Sequence, residues 1–378
     1  MFSWLKGHGS SSNASQCPHW QQEEIRIDSA ESHLKLCAGE ASAGAFPDVH
    51  DVKGSAGEPG SLQITTLRFI WRSSANKRGN LSIGLNTVQS LMSSKSESVV
   101  YGHSESLQVE AKFAGTRFQF VFRTPCTNSS YAPELSLASV ADRIHQSFNK
   151  SKIYRELKVK SAIITDGELD LLEYESIHGQ LPRVLNVSND QGKVGRMIFT
   201  NIRVVWYCTI NNNSNVSIPY LQIASSSVRN SKYGQAMCIE TYASSQASSY
   251  KFGFQIASSS ESDIKRLKDV VALLRAACQS YLEMPIFGVQ FEGSFSAAED
   301  ALLASEINGR ESLATLAGEH EDDEGLIVDE ADHHKLDAYK QRGEVSGETE
   351  FIFDASLGLA VVREKGATYT ADSVWNEM

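Results

Sequence analysis

The sequence predicts a mainly β fold made of two tandem barrels, each closed by a C-terminal helix. An internal repeat, a strand of alternating aromatic residues in each copy, and helical periodicity after each of those strands predict it. At 378 residues the chain has room for two domains of ordinary size plus tails. With 41% hydrophobic and 21% charged residues, it can build cores without a metal or disulfide staple.

Residues 1–20 read as an N-terminal tail, because Met1 to Asn13 holds few apolar residues before a Gly/Ser stretch. A signal peptide needs a longer apolar core than this, so the chain is expected on the cytosolic side of the membrane. Position 2 is Phe, which excludes N-myristoylation, and the final Trp-Asn-Glu-Met is no prenylation box. Apolar runs such as Val270 to Leu274 fall far short of a bilayer span.

The first predicted domain spans residues 21–157 and the second 158–282. Gly60 to Trp71 (GSLQITTLRFIW) aligns without a gap on Gly195 to Trp206 (GRMIFTNIRVVW), matching Gly60 with Gly195, Thr65 with Thr200, Arg68 with Arg203 and Trp71 with Trp206. The match continues through Asn76 and Asn211, Asn80 and Asn215, Ser82 and Ser217. Each glycine starts a strand, each Thr-Thr or Thr-Asn pair supplies a tight turn, and each arginine begins the return strand. Trp71 and Trp206 are predicted to fill the core or its rim. The matched Arg68 and Arg203 beside the turns predict one structural bond to a carbonyl or carboxylate in both copies.

Further along, Phe118, Phe120 and Phe122 alternate as an amphipathic strand does, and Tyr250, Phe252 and Phe254 alternate in the second copy. Val140, Ile144 and Phe148 then share one helical face, as do Ile264, Leu267, Val271, Leu274 and Cys278. Several short strands curled into a barrel, with a helix over the open corner, is the pleckstrin-homology architecture. Residues 283–378 read as an extended tail. It has an acidic linker around Glu321-Asp-Asp-Glu and an apolar docking segment from Phe351 to Trp375, in which Leu357, Leu359 and Trp375 are the partner-docking candidates.

A net charge of −11 opposes non-specific binding to nucleic acid or anionic membrane, so any phosphate site must be a local basic pocket. The candidates are Arg72, Lys77 and Arg78 in the first copy and Arg183, Lys193, Arg196 and Lys232 in the second, with ordinary solvated charge as the competing reading. Asn80-Leu-Ser-Ile and Asn215-Val-Ser-Ile are either barrel core or strands with an edge free for a neighbour. The six cysteines form no C-x-x-C pair and read as reduced thiols. Glu330, Asp332, His333 and His334 read as solvated side chains rather than metal ligands. No phosphate loop, nucleophile elbow or zinc-protease motif is present, so no catalytic residue, metal or cofactor is expected.

The G-x-x-x-x-T-x-x-R-x-x-W hairpin resembles that of GRAM and GLUE-type pleckstrin-homology domains. The run from Ser188-Asn-Asp-Gln-Gly through Phe199-Thr-Asn-Ile-Arg-Val-Val-Trp to Asn215-Val-Ser-Ile-Pro-Tyr-Leu-Gln-Ile is more specific, and resembles the family of the fifth Bardet-Biedl syndrome protein. Ser231-Lys-Tyr-Gly, Pro285-Ile-Phe-Gly-Val and Leu357-Gly-Leu-Ala extend the resemblance over Trp20 to Met378. Residues 1–19 and the loop Ala41 to Pro59 depart from the family pattern, so nothing is carried onto them. The resemblance implies a non-enzymatic scaffold subunit of the BBSome, a coat that traffics membrane proteins to and from cilia. It implies the other BBSome subunits as partners, an Arf-like small GTPase met indirectly through the coat, and affinity for a phosphoinositide membrane. It also implies residence in the cytoplasm, at the ciliary or flagellar base and axoneme, and peripherally on the ciliary membrane. A stand-alone phosphoinositide-binding membrane adaptor is the alternative.

Overall fold

The structure is a computed structural model that describes residues 20–55, 57–76, 78–98, 102–125, 136–188, 192–231, 234–242, 249–256, 261–291, 336–340, 349–354 and 359–364. The chain forms two compact units, Met1–Tyr339 and Lys340–Met378. The larger unit contains both barrels.

The first barrel uses strands β1 (Ile25–Ile27), β2 (Ser42–Asp51), β3 (Glu58–Thr65), β4 (Arg68–Ser73), β5 (Asn80–Gly84), β6 (Val88–Ser98), β7 (Gly102–Phe113) and β8 (Thr116–Pro125). A one-turn helix, α1 (Glu31–Leu34), follows β1, and α2 (Leu137–Lys150) closes the barrel. The second uses β9 (Lys158–Val159), a small hairpin of β10 (Ile164–Thr165) and β11 (Glu168–Leu169), then β12 (Ile177–Asn186), β13 (Lys193–Thr200), β14 (Arg203–Cys208), β15 (Asn215–Pro219), β16 (Ile223–Ser231), β17 (Gly234–Thr241) and β18 (Lys251–Ile256). Helix α3 (Glu261–Glu283) closes it. The sheet orders are β1-β5-β4-β3-β2-β8-β7-β6 and β9-β15-β14-β13-β12-β18-β17-β16, so the two barrels share one topology.

Local chemistry explains why the repeat folds twice the same way. The Thr65 hydroxyl oxygen accepts the N–H groups of Leu67 (3.1 Å) and Arg68 (2.9 Å), and Thr200 does the same for Ile202 (3.1 Å) and Arg203 (3.0 Å). The turn is thereby locked from inside. Strands β2 and β12 each carry a bulge, with Asp48 at φ 54° and Arg183 at φ 58°. Just beyond each bulge, the Val49 and Val184 carbonyls accept the indole N–H groups of Trp71 (2.8 Å) and Trp206 (3.0 Å). Both rings are buried, and each lies against the glycine at the third position of the neighbouring strand. A Cβ on Gly60 would overlap the Arg72 carbonyl and stand 2.6 Å from the Trp71 ring; Gly195 faces the Tyr207 carbonyl and Trp206 in the same way. Only glycine fits there.

The cores follow the predicted patterns except at Tyr250 and at Ile264 and Cys278 of the α3 face, which are only partly buried. Phe118, Phe120, Phe122, Phe252 and Phe254 are buried, but Tyr250 precedes β18 and remains 49% exposed. Helix α2 is capped by Ser136, whose side chain accepts the Ser139 N–H, and it buries Val140, Ile144 and Phe148. Helix α3 buries Leu267, Val271 and Leu274. Asn80 to Ile83 and Asn215 to Ile218 present no open edge: β5 is paired by β1 and β4, and β15 by β9 and β14. Every residue of both strands is buried, because a short strand from the preceding linker covers the side that would otherwise face solvent.

The segment after α3 returns to the first barrel instead of leaving as a tail. Buried Arg155 donates to the carbonyls of Phe287 (2.6 Å) and Phe148 (2.5 Å) and to the Ser151 hydroxyl (3.0 Å), with its guanidinium 3.8 Å from the centre of the Phe148 ring. Burial lowers its pKa to about 10. Gly39 and Gly288 allow this close passage, since a Cβ on either would overlap Pro285 or Tyr154.

The smaller unit contains a β-hairpin, β19 (Thr349–Asp354) paired with β20 (Leu359–Glu364), where Phe351 opposes Val362 and Phe353 opposes Ala360. This part of the predicted extended segment therefore pairs with itself. Leu359 opens β20, while Leu357 and Trp375 lie outside the described residues.

Candidate functional site

The first barrel has a mouth lined by Gly54 and Ser55 of the β2–β3 connection and Asn76 and Gly79 of the β4–β5 connection, and the matching end of the second barrel carries Asn186, Lys193 and Lys160. At the opposite end of each hairpin, beside the β3–β4 or β13–β14 turn, lies a buried ion pair. Arg68 bonds Glu40 through Nε (3.0 Å) and Nη2 (3.2 Å), and donates to the carbonyls of His33 and Lys35 (2.7 Å each). Arg203 bonds Glu175 through Nε (2.8 Å) and Nη2 (2.9 Å), and donates to the Asp170 carbonyl (3.1 Å). All four side chains are 0–1% exposed. Burial alone would raise the Glu40 pKa, but the hydrogen bond and charge of Arg68, with the Thr65 hydroxyl and the Cys37 N–H, hold it below its usual value. These fork-to-fork pairs tie the loop before β2 or β12 to the hairpin.

At three matched positions the two mouths differ in charge. Asp28 and Lys160 occupy one matched position: each is in the left-handed region, and each donates its N–H to the carbonyl of Asn80 or Asn215 at 2.9 Å. The register partners Asp51 and Glu58 in the first barrel are matched by Asn186 and Lys193 in the second. Three carboxylates at one mouth thus correspond to two lysines and an amide at the other. Asp28, Glu58 and Asn80 line a cavity of about 180 Å³ in the first barrel, and Tyr339 closes one side of it.

The structure describes five of the seven predicted cations, and they do not gather into one site. Arg72 donates to Gln63 (3.3 Å) and to the Leu34 carbonyl (3.2 Å), with Glu31 at 3.8 Å, and so braces α1. Arg78 is exposed in the β4–β5 connection, and Arg183 is exposed on the β12 bulge. Lys193 lies in the same alternating row as buried Gly195 and Met197, whereas Arg196 lies on the opposite face of β13. Lys77 and Lys232 lie outside the described residues, as do Glu330, Asp332, His333 and His334. Among the described residues no group of His, Cys, Asp or Glu is placed to hold a metal ion. Sequence reasoning missed Glu40, Glu175, Lys160 and Tyr339.

The two barrels have separate counterparts among known families. Residues 40–149 match the Bardet-Biedl syndrome 5 protein N-terminal PH-like domain, and residues 158–291 match the Bardet-Biedl syndrome 5 protein second PH-like domain. The chain is 33% identical to the BBSome complex member BBS5 of Danio rerio, over 95% of this chain and 97% of that protein. The chain belongs to the Bardet-Biedl syndrome 5 family. Within the family it is also 32% identical to the BBSome complex member BBS5 of Homo sapiens, over 95% of this chain and 98% of that protein. It is 34% identical to the BBSome complex member bbs-5 of Caenorhabditis elegans, over 72% of this chain and 74% of that protein. Membership accounts for the pair of PH-like barrels.

Proposed function

We propose that the chain is a non-enzymatic scaffold subunit of a BBSome coat trafficking membrane proteins to and from cilia, and that its second barrel recognises a phosphoinositide headgroup. The observation supporting the first part is family likeness across nearly the whole chain to proteins described as BBSome complex members. The observation supporting the second is the basic rim at Lys160 and Lys193, matched in the first barrel by Asp28 and Glu58. A bilayer carrying phosphoinositide meets attraction at one mouth and repulsion at the other.

In this reading other BBSome subunits are the direct partners, an Arf-like GTPase acts through the coat, and the protein works at the ciliary base, axoneme and peripheral ciliary membrane. No helix among the described residues is long and apolar enough to cross a membrane, which is consistent with peripheral attachment. Affinity purification of a tagged full chain from ciliated cells tests the assembly, with other coat subunits expected in fixed stoichiometry. Recovery of the chain alone, still bound to phosphoinositide vesicles, would favour a stand-alone lipid adaptor. Vesicle sedimentation tests the lipid assignment, and Lys160→Glu with Lys193→Glu should remove binding.

A further inference from the structure

Tyr339 reaches the mouth of the first barrel from a point far along the chain, and its seat is built on every side. Its carbonyl accepts the Gln119 N–H at 2.8 Å, adding one rung to β8. Its ring lies 4.7 Å from that of Phe120, centre to centre. Its hydroxyl donates to Asp51, which is fully buried and also accepts the Ser55 N–H at 3.0 Å. Gly54 passes so close that any Cβ there would overlap the phenol ring, and Leu336 packs against the core. Tyr339 itself is 3% exposed. Burial first, and then the charge of Asp51, hold the phenol far above its ordinary pKa, so it remains a hydrogen-bond donor throughout the physiological range.

We infer that the mouth of the first barrel is a receptor site for a tyrosine-bearing peptide, filled in cis by Leu336–Tyr339, and is not a site for an anionic headgroup. A phosphate entering this mouth meets the carboxylates of Asp28, Asp51 and Glu58 with Arg78 at the outer edge, whereas a phenol adds a side-chain donor to buried Asp51, which also accepts the N–H groups of Lys53 and Ser55. The segment is a helical turn, closed by the Tyr339 N–H on the Leu336 carbonyl at 3.1 Å, and it holds the sheet through one main-chain rung and one aromatic anchor. Gly54 supplies the specificity, because its missing side chain is the space the ring occupies. The inference goes beyond the reading of the second barrel and uses none of its residues.

A synthetic peptide covering residues 334–341, carrying a fluorophore, tests it by anisotropy against the full-length chain. Saturable binding is expected to the Tyr339→Ala chain, and binding at least about tenfold weaker to the unsubstituted chain, where the cis copy competes. A peptide with Phe in place of Tyr should bind the Tyr339→Ala chain about tenfold more weakly, the scale of one hydrogen bond to a charged acceptor. No saturable binding to a folded Tyr339→Ala chain, or equal binding of the two peptides, overturns the proposal. So does a tenfold gain of that chain on phosphatidylcholine vesicles carrying phosphoinositide, which would make the mouth an anion site with a plug. If Tyr339→Ala does not fold, Tyr339→Phe decides: it keeps the ring and loses the donor, and exchange of the Gln119 amide should quicken about tenfold. An unchanged exchange rate overturns the proposal equally.

Discussion

The two barrels agree wherever a side chain holds backbone and disagree at the rims of their mouths. Thr65 and Thr200 lock the same turn, Trp71 and Trp206 bond the same bulged carbonyl, and Arg68 and Arg203 grip carboxylates at the same position before the sheet. Each of these groups is buried and hydrogen-bonded, so any change leaves an unpaired polar atom or a hole. Asp28 and Lys160 hold the same backbone shape through their main-chain N–H groups while their side chains differ in sign. The skeleton is fixed by internal bonds, and the rim chemistry is free to diverge upon it.

The largest test of the shared skeleton is removal of one partner from a buried pair. Glu40→Ala and Glu175→Ala should each cost about 3–5 kcal/mol in denaturant unfolding, because each leaves a buried guanidinium unpaired. Replacing both partners in one barrel, Arg68→Met with Glu40→Leu, should cost clearly less than Glu40→Ala alone. A double replacement as costly as the single would mean that the arginine's carbonyl bonds, and not the pair, hold the loop. The pH dependence has a definite sign. The folded pKa of Glu40 is depressed, so its contribution is complete above the ordinary carboxyl value of 4.5 and is lost as pH falls through the folded value. Glu40→Gln should flatten acid unfolding in that window.

Trp71→Ala and Trp206→Ala test the same comparison through packing, and should each cost about 3–5 kcal/mol. Values differing between the barrels by more than about 1 kcal/mol would show that the two cores relax differently around an equivalent hole. Smaller still, Gly60→Ala and Gly195→Ala should each cost about 1–3 kcal/mol, since the added methyl meets backbone and not the end of a flexible chain. A neutral result at either position would mean that the tryptophan shifts aside.

What was legible in the sequence follows from how each feature is held. The glycine, threonine, arginine and tryptophan of the hairpin are close together along the chain and recur at constant spacing, so the repeat exposes them. Glu40 and Glu175 recur at that same spacing but lie before the aligned run, in loops of different construction: α1 follows in one copy what β10 and β11 supply in the other. A search for repeated carboxylates at the repeat spacing could have found them. Lys160 matches Asp28 only after the register between the copies has shifted, which a gapless alignment does not show. Tyr339 has no counterpart in the repeat and meets Asp51 only in three dimensions, so no local pattern marks it. Charge and nearness along the chain group Arg183, Lys193 and Arg196 before the second hairpin, but alternation along β13 places Arg196 on the opposite face from Lys193.

The smallest expected effect addresses the rims themselves. Each lysine near an anionic bilayer contributes about 1 kcal/mol, or roughly fivefold in affinity. Lys160→Ala and Lys193→Ala should therefore each weaken sedimentation with phosphoinositide vesicles about fivefold. Together they should act nearly multiplicatively if both face one headgroup. Arg196→Ala should change binding less, because its side chain lies on the opposite face of the strand from Lys193. Raising the salt should narrow all of these differences, since exposed charges are screened within about 8 Å at physiological ionic strength. The decisive arm is the reciprocal exchange. Asp28→Lys with Glu58→Lys gives the first mouth the two lysines of the second but leaves Tyr339 and Asp51 in place. If rim charge alone selects the ligand, this chain should gain roughly the affinity that the second barrel loses. If the seated phenol governs access, the gain should appear only when Tyr339→Ala is added, which separates the charge of the mouth from its occupancy.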